Sequence, residues 1–199
     1  MSNQANSDSS AIRLVIFGRQ GAGKGTQCNR IVEKYGVVHL STGDMFRAAR
    51  DEGTELGQQV APIMASGGLV SDELTIAIVK ERLASEEIQK AGFVLDGFPR
   101  TPAQAEALVE MLGQDQLHAV LNLDVPLDEV TARMAARGRE DDTAEGIAKR
   151  LALYDSETVP TIEWFGDRDL LVDIDGLGSE DDVTGRIFKT LDGFLDSES

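Results

Sequence analysis

Gly18-Arg19-Gln20-Gly21-Ala22-Gly23-Lys24-Gly25-Thr26 sets glycines around a single lysine directly after an apolar run. Such a loop turns backbone N–H groups inward onto phosphate oxygens, and a helix starting at its end adds a positive dipole. Glycine permits the backbone angles and the close approach, and Lys24 brings a mobile charge to β- and γ-phosphates. The general pattern puts a Ser or Thr hydroxyl directly after the lysine. Here Gly25 intervenes and the hydroxyl is that of Thr26. The bland alternative is an ordinary glycine-rich turn between a strand and a helix, and the G-x-x-x-x-G-K spacing argues against it.

More chemistry lies further along. Thr42 and Gly43 read as a helix start with Arg47 one turn on, which alone would be an N-cap with an exposed arginine. Phe93-Val94-Leu95-Asp96 has the form of a buried strand ending in a carboxylate. That carboxylate can hold Mg²⁺ through water or form a buried pair with an arginine. Gly97 allows close approach, and Arg100 can grip a phosphate with two parallel hydrogen bonds. Gln104 follows on the same helical face, and its carboxamide offers one donor and one acceptor to a base edge. Arg133 and Arg137 share a helix face, Arg139 follows closely, and Arg150 lies on the next helix. In a chain with 35 acidic and 19 basic residues, such a set is hard to read as solvated charge. Phosphoryl transfer needs alignment, Mg²⁺ and positive charge where the group passes, and arginine supplies that charge without titrating.

These residues need a frame. Strands are expected at 12–17, 37–40, 93–96, 120–124 and 170–174, each short and mostly apolar, as in a buried parallel sheet. Helical patterns fill 26–35, 103–112, 127–136, 144–154 and 181–195. Val60, Ile63 and Met64 share one further face; Leu74, Ile78 and Leu83 share another. The alternation predicts an α/β protein: a P-loop three-layer fold, a five-stranded parallel sheet with helices on both faces. Roughly 50 residues between the second and third strands exceed one crossover helix. They are expected to form a small helical lobe. Residues 1–10 read as a disordered lead and 11–199 as a single domain.

Four segments, in order, resemble the adenylate kinases and related nucleoside monophosphate kinases. They are Gly21-Ala22-Gly23-Lys24-Gly25-Thr26-Gln27, Ser41-Thr42-Gly43-Asp44-Met45-Phe46-Arg47, Asp96-Gly97-Phe98-Pro99-Arg100 and Arg137-Gly138-Arg139-Glu140-Asp141-Asp142. The family usually has proline where Gln20 stands, and often lysine where Gly68 stands. The resemblance implies reversible transfer from MgATP to AMP, giving two ADP. It implies ATP contacts at Gly21, Ala22, Gly23, Lys24, Gly25, Thr26, Arg133, Arg137 and Gly178. AMP contacts would come from Thr42, Arg47, Leu69, Val70, Gly97, Arg100, Gln104, Arg139 and Arg150. Lys24, Arg100, Arg137, Arg139 and Arg150 would be catalytic, and Asp96 would hold Mg²⁺ through water. Residues 41–70 would form the AMP-binding lobe. Long-form bacterial relatives carry an insertion, sometimes zinc-bearing, between the arginines matching Arg137 and Arg139. Here only Gly138 separates them, which implies a short lid at 137–142 and no structural zinc. Asp141 and Asp142 would orient the arginines or the closing segment.

The net charge of −16 repels polyanions such as nucleic acids. Cys28 is the single cysteine, so neither an intrachain disulfide nor a cysteine-built zinc site is available, and it reads as a small buried hydrophobe. No apolar run approaches the roughly 18 residues of a membrane span, and the start lacks the pattern of a signal peptide. A cytoplasmic monomer acting on ATP and AMP or ADP is expected, without membrane or nucleic-acid partners. His39 and His118 have no ligand partner at sequence spacing, and Trp164 and Phe165 read as packing. A UMP/CMP kinase is the nearest alternative, opposed by Gln104 and Thr42. A slow nucleotide-hydrolysing switch is opposed by the second arginine-lined site and by the absence of an Asn-Lys-x-Asp motif.

Overall fold

The structure is a computed structural model, described for residues 11–113, 117–138 and 142–197. Five parallel strands, β1 Ile12–Phe17, β2 Val38–Ser41, β3 Gly92–Asp96, β4 Ala119–Asp124 and β5 Leu171–Asp175, lie in the order β2-β3-β1-β4-β5. Along β1 the side chains alternate. Leu14 and Ile16 enter a core on one face, Val15 and Phe17 a core on the other. Both faces of the central strand are therefore covered, which is why it reads as an unbroken apolar run rather than an amphipathic one.

The first core is closed by α1 (Lys24–Tyr35), α7 (Leu127–Arg137) and α10 (Glu180–Ser197), through residues such as Ile31, Val130 and Ile187. The second is closed by α4 (Asp72–Leu83), α5 (Glu86–Ala91), α6 (Pro102–Leu112) and α9 (Val159–Gly166), through Val79, Ile88, Leu108 and Phe165. Phe165 is fully buried and Trp164 meets it edge-on, so packing is what these two aromatics do. The remaining helices are α2 (Thr42–Asp51), α3 (Glu55–Ala65) and α8 (Ala144–Leu153).

The stretch between β2 and β3 holds α2 to α5, and it has a small core of its own. Phe46, Val60 and Val70 are buried there, with Ile63, Met64, Leu74 and Ile78 packed around them. Leu83, expected to share a face with Leu74 and Ile78, instead joins the second sheet core. Helix α4 thus bridges lobe and sheet: Leu74 and Ile78 on one face serve the lobe core, Ile76, Val79 and Leu83 on another the sheet core. Ser41, Thr54 and Ser71 cap α2, α3 and α4, each side chain accepting an N–H of the first turn.

Helix α9 had no counterpart in the sequence reading. Pro160 stands in its first turn. The chain enters it from α8 through a π-helical turn, Tyr154–Thr158.

Candidate active site

Parallel strands bring the C-terminal ends of β1, β2 and β3 to one edge of the sheet. Register pairs Asp96 with both Ile16 and Ser41, so the glycine loop, the start of α2 and the Asp96–Gly97 turn converge. Gly21 has φ +88 and lies so close to α7 that a Cβ would come 2.6 Å from the Val130 carbonyl oxygen. Only glycine satisfies both demands.

Lys24, the first residue of α1, folds back over its own loop. Its ammonium donates to the Gly18 carbonyl at 2.8 Å and stands 3.9 Å from Asp96. Burial pulls the lysine below its ordinary pKa; Asp96 opposes that pull, while Arg100 and Arg137 add to it. For Asp96, burial pushes the other way. Lys24, His39 and Arg100 outweigh it, and the carboxyl ends below its usual value. Asp96 is therefore a buried anion held by the charges of Lys24 and Arg100, with the His39 ring close by.

The Gly97 carbonyl gathers two donors: the Thr42 hydroxyl at 2.9 Å and the Arg100 Nε at 2.9 Å. A Cβ at Gly97, whose φ is +81, would press within 2.9 Å of Thr42 Oγ1 and 3.0 Å of Arg100 Nη2. Arg100 is thus anchored by its Nε and keeps its terminal nitrogens for the pocket. Burial lowers its pKa, and Arg47 and Arg150 act in the same direction. Arg47 pairs with Asp44 one turn back on α2. Gln104 is buried; its Oε1 accepts the Arg100 N–H at 2.8 Å and its Nε2 donates to Asp72 at 2.7 Å. Asp72, which sequence reasoning passed over, enters because α4 packs on α6.

On the far side, Arg137 engages Asp142 through Nε and Nη2 at 2.9 and 2.7 Å, and Arg150 reaches the same carboxylate at 2.8 Å. The Asp142 side chain is only 1% exposed, so one buried anion aligns two guanidinium groups. That fits the expected orienting part of Asp142. Arg133 pairs with Glu129 along α7. Arg139, Glu140 and Asp141, and with them the middle of the 137–142 segment, lie outside the described residues.

Two cavities meet here. A cleft of about 610 Å³ is lined by the loop, including Gly21, Gly23, Lys24, Gly25 and Thr26, and by Asp96, Arg133 and Arg137. A smaller one beneath the lobe is lined by Thr42, Phe46, Val70, Thr75 and Gln104. Leu69, Gly97, Arg47, Arg100 and Arg150 line both, so three arginines stand where the cavities join. Ala22 is buried and, like Gly178 in the turn after β5, lines neither cavity.

One grouping corrects a reading made along the chain. His39 has no ligand partner at sequence spacing, yet pairing of β2 with β3 brings Cys28, His39 and Asp96 together, their ligand atoms within 4.8 Å of one another. The cation that faces this carboxylate is Lys24. Cys28 is fully buried, and burial together with Asp96 drives its thiol pKa well up, so it stays protonated. It remains the core residue its isolation suggested.

A phosphate loop at the sheet edge, facing an arginine-lined second pocket across a shared wall, defines a P-loop nucleoside monophosphate kinase. Comparison with known proteins narrows this. The adenylate kinase family model matches residues 16–170. An adenylate kinase of Cyanothece sp. is 47% identical over 186 residues, covering 90% of this chain and 95% of that protein. One from Hyphomonas neptunium is 46% identical over 182 residues, covering 88% and 96%. One from Stenotrophomonas maltophilia is 40% identical over 188 residues, covering 92% and 100%. The chain belongs to the adenylate kinase family.

Proposed function

We propose that the cleft receives MgATP and the smaller pocket AMP, so that this adenylate kinase runs ATP + AMP ⇌ 2 ADP across the wall between them. The observation that carries this division is the wall itself: Arg47, Arg100 and Arg150 belong to both cavities. The loop amides at Gly21, Ala22, Gly23, Gly25 and Thr26 cradle the ATP phosphates, and Lys24 follows the migrating charge. Arg133 stacks on the donor base, with Gly178 at its edge. Arg137, Arg139 and Arg150 clamp the phosphates.

On the other side Arg47 and Arg100 hold the AMP phosphate. Gln104 reads the adenine edge, with Thr42, Leu69, Val70 and Gly97 shaping its pocket. A phosphate oxygen of AMP attacks in line; it is already anionic near neutral pH, so no general base is assigned. Asp96 offers hard oxygen donors with its side chain 16% exposed at the cleft floor, which suits a hard divalent cation held through water. Mg²⁺ bound with ATP supplies neutralisation of the β- and γ-phosphate oxygens. A structural zinc is no part of this reading. Closure of the 41–70 lobe and the short 137–142 lid keeps water from accepting the phosphoryl group.

The reading extends to a cytoplasmic monomer without nucleic-acid or membrane partners. A net charge of −16 supports the second point, and no helix among the described residues is long and apolar enough to cross a membrane. The test is ADP formation from MgATP with AMP, CMP, UMP or GMP, beside a control without acceptor. Rapid turnover with AMP alone is expected. Preference for CMP or UMP would remove Gln104 from its role, and acceptor-independent ATP loss would end the kinase reading.

A pH profile probes the loop separately. Because burial lowers the Lys24 pKa from 10.5, kcat/KM for ATP, which reports the free enzyme, should fall along an alkaline limb starting below that value. A limb at or above 10.5 would mean that the burial is not felt.

A further inference from the structure

Gln104 can meet a purine edge in two ways, because a carboxamide has a donor end and an acceptor end that exchange by a half-turn. With Nε2 toward N1 and Oε1 toward the exocyclic group it fits adenine, whose N1 accepts and whose N6 donates. Turned over, it fits hypoxanthine or guanine, whose N1 donates and whose O6 accepts. Selection of AMP over a 6-oxopurine monophosphate therefore depends on what stops the turn.

Two groups of fixed polarity flank this amide. The backbone N–H of Arg100 can only donate, and it meets Oε1 at 2.8 Å. The Asp72 carboxylate can only accept, and it meets Nε2 at 2.7 Å. Asp72 is itself steadied by the Thr101 hydroxyl, which donates to its other oxygen at 2.9 Å. Thr101 caps α6 by accepting the Gln104 N–H, so the brace and the residue it braces share one turn. Turning the amide would put Nε2 against the Arg100 N–H and Oε1 against a carboxylate, two repulsions inside a site where Gln104 is 3% exposed. In the observed orientation one N–H of Nε2 and one lone pair of Oε1 are left for the base.

We propose that Asp72 is a specificity-positioning residue: it locks the Gln104 amide in the orientation that accepts AMP and rejects IMP and GMP. This rests on the reading of Gln104 as the adenine contact. Asp72 touches the amide and not the base, so its effect belongs in the ratio of two acceptors rather than in turnover alone.

The experiment compares kcat/KM for AMP and for IMP at saturating MgATP in wild type, Asp72→Asn and Asp72→Ala, with a thermal melt of each. Asparagine keeps the shape but presents either polarity to Nε2. The AMP-to-IMP ratio is expected to fall by about tenfold or more in D72N, through both a loss with AMP and a gain with IMP. D72A is expected to lower it as well, since it removes the acceptor without supplying a donor, and it carries the test should D72N fold poorly. Equal loss with both acceptors, leaving the wild-type ratio, would overturn the proposal and make Asp72 a purely structural residue of α4. Wild type that itself shows no preference for AMP would instead overturn the role of Gln104, and the two failures are separable.

Discussion

Lys24→Met is expected to lower kcat by about 10²–10³-fold while leaving KM for AMP near the wild-type value. The lysine lies on the ATP side only: it lines the loop cleft, whereas Arg47, Arg100 and Arg150 face both cavities. In the free protein its ammonium is satisfied by the Gly18 carbonyl and by Asp96. These are partners it can exchange for phosphate oxygens without crossing open solvent. An aliphatic chain of similar length preserves the packing and deletes only the charge, so the loss falls where negative charge moves. Steady-state kinetics with each substrate varied in turn, checked against a thermal melt, would show it. A rise in KM for AMP matching the fall in kcat would mean that the lysine supports the whole site rather than the transfer.

Much of this site was legible because its residues cluster in four short segments, each at the end of a strand or the start of a helix. A parallel sheet collects such ends along one edge, so a motif after β1 and another after β3 become neighbours by topology alone. Contacts across the sheet or between helices were not legible. His39 meets Asp96 because β2 pairs with β3 at a register that no local pattern specifies. Asp72 reaches Gln104 because α4 lies against α6, and on its own it reads as an acidic residue in a first helical turn, favourable there for its charge alone. Fold class survived such gaps because it depends on periodicity. Helix α9 was missed because eight residues containing a proline and a terminal glycine give periodicity too little to work on.

Two ion pairs of the site see little solvent. Arg150 and Asp142 have side chains 8% and 1% exposed, and Lys24 and Asp96 14% and 16%. Lys24 and Arg150 each face one of these nearly buried carboxylates, whereas Arg100 is held by the Gly97 carbonyl and Arg47 by the more exposed Asp44. At Lys24, phosphate binding trades carboxylate and carbonyl oxygens for phosphate ones. That exchange suits a reversible reaction in which charged ligands must leave as readily as they enter.

The same desolvation makes Arg100→Lys far from conservative. Arginine here uses Nε to hold the Gly97 carbonyl at 2.9 Å and turns its terminal nitrogens to the pocket. Lysine has no second anchoring donor on the stem and meets a phosphate as a point charge. A loss of about 10–100-fold in kcat/KM for AMP is expected near neutral pH, the equivalent of roughly 1.5–3 kcal/mol of charge-assisted hydrogen bonding. The loss should deepen as pH rises. Burial, with Arg47 and Arg150, presses the Arg100 pKa below its ordinary value against the pull of Asp96, which still leaves the guanidinium charged, but the same surroundings act on an ammonium that starts near 10.5. The substituted side chain therefore gives up its proton at a pH where the guanidinium does not, and the gap between variant and wild type widens on the alkaline side. Profiles of kcat/KM for AMP from neutral to alkaline pH would reveal this. A gap that stayed constant with pH would assign the whole loss to geometry and none to charge.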